Sequence, residues 1–358
     1  MTKPERGIAV AVLLALSVTA GCIPYGGSRL EGDQVDYSRA LNVAQKQQTL
    51  TNIVSLRYAD PPMFVPVTQI ISAHSMNGSA TATLTGNTIS TAGNSAQLGG
   101  TLGFSSTPTF TFTPTTGEDF AQGYIRPLSP VLVLPLMQSG VPVDLLLRIA
   151  VQSVGNLQNS AVLSGANNSG SVGFFELIHV LRRLQLRGVL TMRLQNADGG
   201  DRVFLAIDPS RLRDATVAND AARARKLLGV ADSAKEIEIV YGAVPEHGAK
   251  VGIITRSIIG ILTELGAQID VPQSEVDNHT TLQTVHLLTV EPRPTIIIHV
   301  GPRPPERTYA DVAYDANHYW IAWDDFDSKF AFSVVEQLIA LAQSGQGSKT
   351  PIITIPAG

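Results

Sequence analysis

The chain has 358 residues, of which 44% are hydrophobic and 16% are charged, and its formal net charge is −4. A chain of this size and composition can bury a large core, and its slightly acidic balance gives no basic surface of the kind that nucleic-acid binding requires. A single cysteine cannot form an intramolecular disulfide, so we expect side-chain packing to stabilise the fold.

The first residues have the pattern of a secretory signal peptide. Lys3 and Arg6 precede an unbroken apolar run, Ile8 to Leu16, and small residues follow from Ser17 to Gly21. The apolar run is too short to span a bilayer as a helix, which takes about 20 residues. We therefore predict that residues 1–21 are a signal peptide that is removed on export.

The segment VTAGCIP around Cys22 resembles the lipobox of bacterial lipoproteins, in which small residues directly precede a cysteine. The resemblance implies that diacylglycerol alkylates the Cys22 thiol and that, after cleavage, the new amine receives a fatty acid such as palmitate. The alternative is an ordinary signal peptide with an incidental thiol, which would remain unpaired in the exported chain. The resemblance to enterobacterial lipoproteins implies that Ile23, in place of Asp, favours sorting to the outer membrane of a Gram-negative envelope. Residues 22–35 are predicted to be a flexible lipidated tether.

A helix and a strand are predicted next. Leu50, Ile53, Val54 and Tyr58 fall at helical spacing and indicate an amphipathic helix from residue 36 to residue 58, packed on the body of the protein. The helix ends at RYADPP, because a residue before proline is disfavoured in the α conformation. The following MFVPVTQIIS is typical of a strand.

A long β-hairpin is predicted between Met76 and Pro114. From Leu98 to Phe112 the even positions are mostly apolar or small, whereas the odd positions are Gly, Ser or Thr. A weaker alternation runs from Met76 to Gly86, and GNTISTAGNSAQ would join the two arms. Pro108 in the second arm indicates an edge or a bulge.

Two interpretations of this hairpin remain open. One is a soluble β-meander that lies on the core, since one apolar face and one polar face are common in antiparallel sheets. The other is that residues 76–114 are membrane strands, because each arm has about the length needed to cross an outer membrane. One hairpin cannot enclose a pore, so the second interpretation requires several copies in a ring-forming export channel.

The remainder of the chain predicts an α+β fold. The apolar segment 124–158 contains several prolines and indicates two short buried helices, one opened by Pro130 and one by Pro142. The Ser/Gly/Asn-rich segment 164–173 is a predicted linker between a first unit, 36–163, and an α+β domain, 174–358. In that domain, helices alternate with the hairpins VLTMRLQ/RVFLAID and TYADVAYD/HYWIAWD, the strands EIEIVYG and TIIIHV and a last strand PIITIP.

Three segments resemble a group of uncharacterised proteobacterial lipoproteins: RYADPPMF, PTFTFTP with the following TGEDF, and YWIAWDDFDSKFAF. Together they sample most of the exported chain. The resemblance implies a shared lipoprotein architecture and transfers no functional residue.

The sequence nominates no catalytic, cofactor-binding or metal-binding residue. It has no HExxH or GxSxG motif, and its histidines are scattered. His286 and His299, in two apolar strands, are interpreted as partly buried structural residues. Three acidic residues of WDDFD suggest a divalent-ion site or, more simply, a helix with Asp327 or Ser328 as its N-cap; they are Asp324, Asp325 and Asp327.

Three arginines stand beside prolines in EPRPT and GPRPPER, where extended backbone would keep them exposed: Arg293, Arg303 and Arg307. They are predicted to protect a strand edge, or alternatively to bind a protein partner or lipid phosphate.

These features predict a non-catalytic outer-membrane lipoprotein that faces the periplasm. Its partners would be membrane lipid, through acylated Cys22, and envelope proteins or further copies of itself in a scaffold or assembly. The ring-forming channel is the alternative function, and an envelope hydrolase or sugar-binding enzyme is a third.

Overall fold

A computed structural model describes residues 26–65, 67–85, 95–112, 114–160, 170–197, 200–208, 210, 214–242, 248–285 and 293–344. Within these residues the helices are α1 (Gly26–Arg57), α2 (Gly117–Phe120), α3 (Pro130–Val133), α4 (Val143–Ala150), α5 (Val172–Leu186), α6 (Ala215–Leu228), α7 (Ile258–Ala267), α8 (Gln273–Asp277) and α9 (Phe326–Ser344). A π-helical segment, Ala121–Ile125, follows α2, and a 3-10 segment, Leu134–Met137, follows α3.

The strands that the structure describes form three separate sheets. They are β1 (Val67–Thr85), β2 (Ser95–Phe112), β3 (Val151–Val154), β4 (Leu157–Gln158), β5 (Leu190–Ala197), β6 (Gly200–Ile207), β7 (Glu236–Tyr241), β8 (Lys250–Thr255), β9 (His299–Gly301), β10 (Thr308–Tyr314) and β11 (Asn317–Ala322). The sheets have the orders β1-β2, β10-β11-β9 and β4-β3-β8-β7-β6-β5. Every pair of neighbours is antiparallel except β7 and β8. Helices and mostly antiparallel sheets confirm the predicted α+β class.

One hydrophobic core spans both of the predicted units. Strand β3, from the first unit, pairs with β8, from the second. The core joins Leu50 of α1 and Tyr124 to Leu177 of α5 and Phe332 of α9, all at most 1% exposed. The prediction that 164–173 separates two independent units is therefore wrong for the described residues, because strands and helices from both sides complete the same sheet and core.

Helix α1 begins well before its predicted start. It runs from Gly26, inside the predicted tether, to Arg57, so residues 26–35 are helical and the prediction of a flexible segment there is corrected. The C-terminal half of α1 buries Leu50, Ile53 and Val54 completely. This packed half nucleates the helix, and each further residue then adds one hydrogen bond at a small cost in conformational entropy.

Two predicted elements differ in their bounds, and a third lies outside the described residues. Residues 151–154 were expected in a helix but form β3. Where the chain leaves α4, Asn159 donates its side-chain amide to the carbonyl of Val151 at 2.7 Å. The predicted strand TIIIHV pairs only at 299–301, because the backbone N–H of Thr295 and of Ile297 bonds to side chains instead of a strand. The predicted strand PIITIP lies outside the described residues.

Among the described residues, no helix combines the length and the apolar character needed to cross a membrane.

Candidate functional site

The hairpin β1-β2 is fixed to α1 by a buried asparagine. Asn52, 3% exposed, donates its side-chain amide to the carbonyl of Met63 at 3.0 Å and accepts the N–H of Met63 at 2.9 Å. Both polar backbone groups of Met63 are therefore satisfied by one side chain, four residues before β1 begins at Val67. Asn52 thus holds the start of the hairpin against the helix.

Stacked aromatic rings hold both ends of the hairpin at the same place. Phe64, before β1, stacks on Tyr124 with ring centroids 3.7 Å apart, and Phe120 packs against both rings. The N–H of Thr115, after β2, bonds to the carbonyl of Phe64 at 3.0 Å. Tyr124 is 1% exposed, and burial raises the pKa of its hydroxyl, which accepts a hydrogen bond from Gln343 of α9 at 2.6 Å. We call Asn52, Met63, Phe64, Thr115 and Tyr124 the hairpin base.

The arms of the hairpin pair in a register that aligns their sequence patterns. Met76 lies opposite Phe104, Ala82 opposite Leu98 and Leu84 opposite Ala96, whereas Ser79 lies opposite Thr101 and Thr83 opposite Gln97. Residues directly opposite each other lie on the same face of a sheet. In the distal part of the arms, 76–85 and 95–104, the apolar positions therefore share one face and the polar positions the other. The predicted hairpin is thus confirmed, and it also includes the predicted strand before Met76.

The hairpin has an unusual charge pattern. Residues 61–117 contain no Asp, Glu, Lys or Arg, although 16% of the whole chain is charged. The sheet β1-β2 has no third strand, so each arm has one edge that no other described strand covers. These two properties distinguish the hairpin from the body of the protein, on which charged pairs such as Arg183 with Asp220 are common.

A groove of about 440 Å³ lies beside the hairpin base. Its walls come from α1 and α9, from Phe64 and Tyr124 of the hairpin base, and from Val65. The lining has no charged residue; its polar groups are amides and hydroxyls such as Gln45, Gln48 and Gln343. A larger open groove of about 1010 Å³ lies between α6 and β8, but its Arg223 and Lys250 are already paired with glutamates at 2.6 and 2.9 Å.

A partly buried polar network fixes the C-terminal end of α1. The Tyr58 hydroxyl donates to the carboxylate of Glu275 and lies 2.5 Å from the Tyr319 hydroxyl, and Asn317 donates to the same carboxylate at 2.7 Å. Burial raises the pKa of both tyrosines, and it lowers the pKa of neighbouring Arg57. All these partners belong to the protein itself, so the network orients α1 and the hairpin base that follows it.

The residues singled out from the sequence are scattered over the structure. Cys22 and His286 lie outside the described residues. His299 is exposed and stacks on Trp320 with centroids 5.6 Å apart, so the prediction that it is partly buried is wrong. Its strand is only three residues long, which leaves the ring on the surface.

The acidic cluster is a helix cap closed by an arginine. Asp325, and not Asp327 or Ser328, caps α9, because its carboxylate accepts the N–H and the hydroxyl of Ser328 at 3.1 and 2.6 Å. Arg293 bridges Asp325 and Asp327, with both contacts at 2.5 Å. No group of three or more His, Cys, Asp or Glu with metal-binding geometry exists among the described residues.

The remaining arginines of the predicted edge lie on the surface. Arg303 and Arg307 are exposed, and the Arg307 guanidinium lies 3.8 Å from the centroid of Trp323. Arg307 therefore has an aromatic partner within the chain.

Sequence reasoning did not identify Asn52 or Tyr124. A signal for Asn52 was present: a polar residue among Leu50, Ile53 and Val54 on the apolar face of a helix implies a buried hydrogen-bond partner. Tyr124 gave no such signal, because its partners Phe64 and Gln343 are distant in sequence. No protein-family model, curated protein or solved structure matches this chain.

Proposed function

We propose that the protein is a lipid-anchored, non-catalytic component of the outer membrane, in which Cys22 holds the chain on the bilayer and the hairpin binds envelope proteins or further copies. One observation carries the proposal: an uncharged hairpin with 18- and 19-residue arms is fixed at its base but belongs to neither of the other sheets. An isolated two-stranded hairpin is at best marginally stable in water. Contact with a partner surface would stabilise such a hairpin.

The start of α1 supports the proposed anchor. The helix begins at Gly26, shortly after Cys22, and its 32 residues correspond to a length of about 48 Å. A chain acylated at Cys22 would therefore be connected to the bilayer through a helix rather than through a slack tether. The body can then be held at a defined distance from the membrane surface.

A ring-forming export channel is the second candidate, and the length of the hairpin favours it. At about 3.3 Å per residue, arms of 18 and 19 residues are roughly 60 Å long. The distal ten residues of each arm, 76–85 and 95–104, would suffice for a tilted membrane strand, which takes about 9–11 residues. The proximal residues would then extend the ring on the periplasmic side. Purified protein in liposomes should release a small entrapped dye if this is correct, and intact retention of the dye would exclude the channel.

Replacement of residues 67–112 by a short Gly/Ser linker tests the assembly role. We expect the body to stay folded, because β1 and β2 belong to neither of the other two described sheets, and we expect the chain to remain in the membrane fraction. Complexes that chemical crosslinking detects in wild-type membranes should disappear. The matched control is Cys22→Ala, which keeps the hairpin and should lose the membrane fraction. Unchanged crosslinked complexes after hairpin replacement would contradict the proposal.

A further inference from the structure

The hairpin presents two long backbone edges. In an antiparallel pair, alternate residues direct their N–H and C=O groups away from the partner strand, so each arm offers about nine such residues along its outer edge. Soluble proteins protect exposed edges with charged residues, short strands or a covering element. The arms have no Asp, Glu, Lys or Arg, and none of the other strands that the structure describes pairs with them. Both edges thus have the properties of surfaces that pair with another strand.

We propose that the hairpins of neighbouring copies pair edge to edge, with β2 of one copy antiparallel to β1 of the next. This inference rests on the proposed assembly function and specifies its partner as a second copy of the same chain. Each copy carries one edge of each kind with nearly equal lengths, so the same contact can be repeated from copy to copy. Such head-to-tail contacts close into a ring or continue as an open array.

The directions of the strands select this arrangement over symmetric pairing. Copies anchored in one leaflet direct their hairpins the same way, so β2 and the neighbouring β1 run antiparallel. Pairing of β1 with β1 around a twofold axis along the hairpin would be parallel and would place the two apolar faces on opposite sides of the sheet. A twofold axis perpendicular to the sheet would direct the hairpins in opposite directions. Only β2-to-β1 pairing keeps a common direction and one continuous apolar face.

The contact is large enough to be stable. An edge of roughly 60 Å in a sheet layer about 10 Å thick covers roughly 600 Å² on each partner. The total of about 1,200 Å² is at the lower end of stable protein interfaces, and a copy inside a ring makes two such contacts.

Pro108, opposite Ser72, lacks an N–H, but the register continues across it. A proline is accommodated in this way when its nitrogen faces the outer edge, so one donor of the β2 edge is missing.

Disulfide crosslinking between copies that each carry one introduced cysteine tests the proposal in native membranes. Molecules with Thr81→Cys on β1 are co-produced with differently tagged molecules that carry one cysteine on β2, at Gln97, Thr101, Ser105 or Thr109. All these positions share the polar face, and their four-residue spacing covers different offsets between neighbours. Ser210→Cys, an exposed position on the body, is the matched control.

We expect mixed disulfide dimers between Thr81→Cys and at least one β2 variant, at least tenfold above the Ser210→Cys control. No mixed dimers above that control, or only Thr81→Cys homodimers, would overturn the proposal. The wild-type chain distinguishes failure of the proposed lipid anchor from failure of the edge pairing. A disulfide dimer through Cys22 itself, or an unmodified mass of the mature chain, would show that Cys22 is not acylated. Loss of crosslinking with a correctly acylated chain would reject the edge pairing alone.

Discussion

Replacement of Asn52 by alanine should separate the hairpin from α1 and lower the stability of the chain. The substitution removes both hydrogen bonds to Met63, at 2.9 and 3.0 Å, and leaves two partly buried backbone groups without their partner. A net contribution of about 0.5–1.5 kcal/mol per bond gives an expected loss of about 1–3 kcal/mol. Because Met63 is 67% exposed, water can reach its backbone groups in part, and the lower half of this range is expected.

Urea unfolding of the full-length chain in mild detergent measures this loss. The two tryptophans, Trp320 and Trp323, lie in or directly after β11 and report on the body by fluorescence. Thr51→Ala is the matched control, because the exposed Thr51 hydroxyl bonds only to its own helix at Gln47; its stability should stay within about 0.5 kcal/mol of wild type. If Asn52→Ala unfolds at the same urea concentration as that control, Asn52 does not hold the hairpin base.

Three further substitutions test other parts of the structure. Burial raises the pKa of Glu336 from 4.5 to about 7, so the folded chain retains a proton that the unfolded chain releases, and stability should fall as pH rises from about 4.5 to 7. This loss is at most about 3 kcal/mol and is smaller where solvent reaches the carboxyl. Urea titrations at pH 5 and pH 8 measure it, and in Glu336→Gln the free energy of unfolding should differ less between these two pH values. Gly266→Ala would place a Cβ 2.7 Å from the carbonyl oxygen of Ile53, where α1 crosses α7, and should cost about 1–3 kcal/mol in the same urea assay; an unchanged midpoint would contradict this packing. Arg293→Ala should cost no more than about 1 kcal/mol, with a smaller loss in high salt, because its ion pairs are partly exposed; an equal loss at all salt concentrations would show that packing is responsible.

The sequence predicted those parts of the fold that depend on local patterns. The alternation from Leu98 to Phe112 predicted β2, and the hairpins VLTMRLQ/RVFLAID and TYADVAYD/HYWIAWD were also visible, because periodicity and turn residues act over a few positions. The hairpin register follows from the same alternation, because a shift by one residue would place apolar positions opposite polar ones.

The parts that sequence reasoning missed depend on contacts between distant residues. The short strand β3 is stabilised by β8, about a hundred residues later, and its four residues carry no strand pattern of their own. The same pairing is the reason that the predicted division at 164–173 failed. At the hairpin base, Tyr124 becomes recognisable only when Phe64 and Gln343 have been placed beside it.

The contrast between the hairpin and the body is the strongest argument for a role in assembly. Among the described strands, β1 and β2 pair only with each other, so the other two sheets are completed without them. The surface of the body carries ion pairs such as Arg223 with Glu176 and Arg193 with Glu236. Folding of the body therefore does not explain why an uncharged hairpin is present, or why Asn52 and the stack of Phe64 on Tyr124 fix its base so firmly. A hairpin that served only as a connection could be short and mobile at its base. A fixed base with long open edges instead sets the direction in which the hairpin meets a partner, which reduces the entropy lost on association.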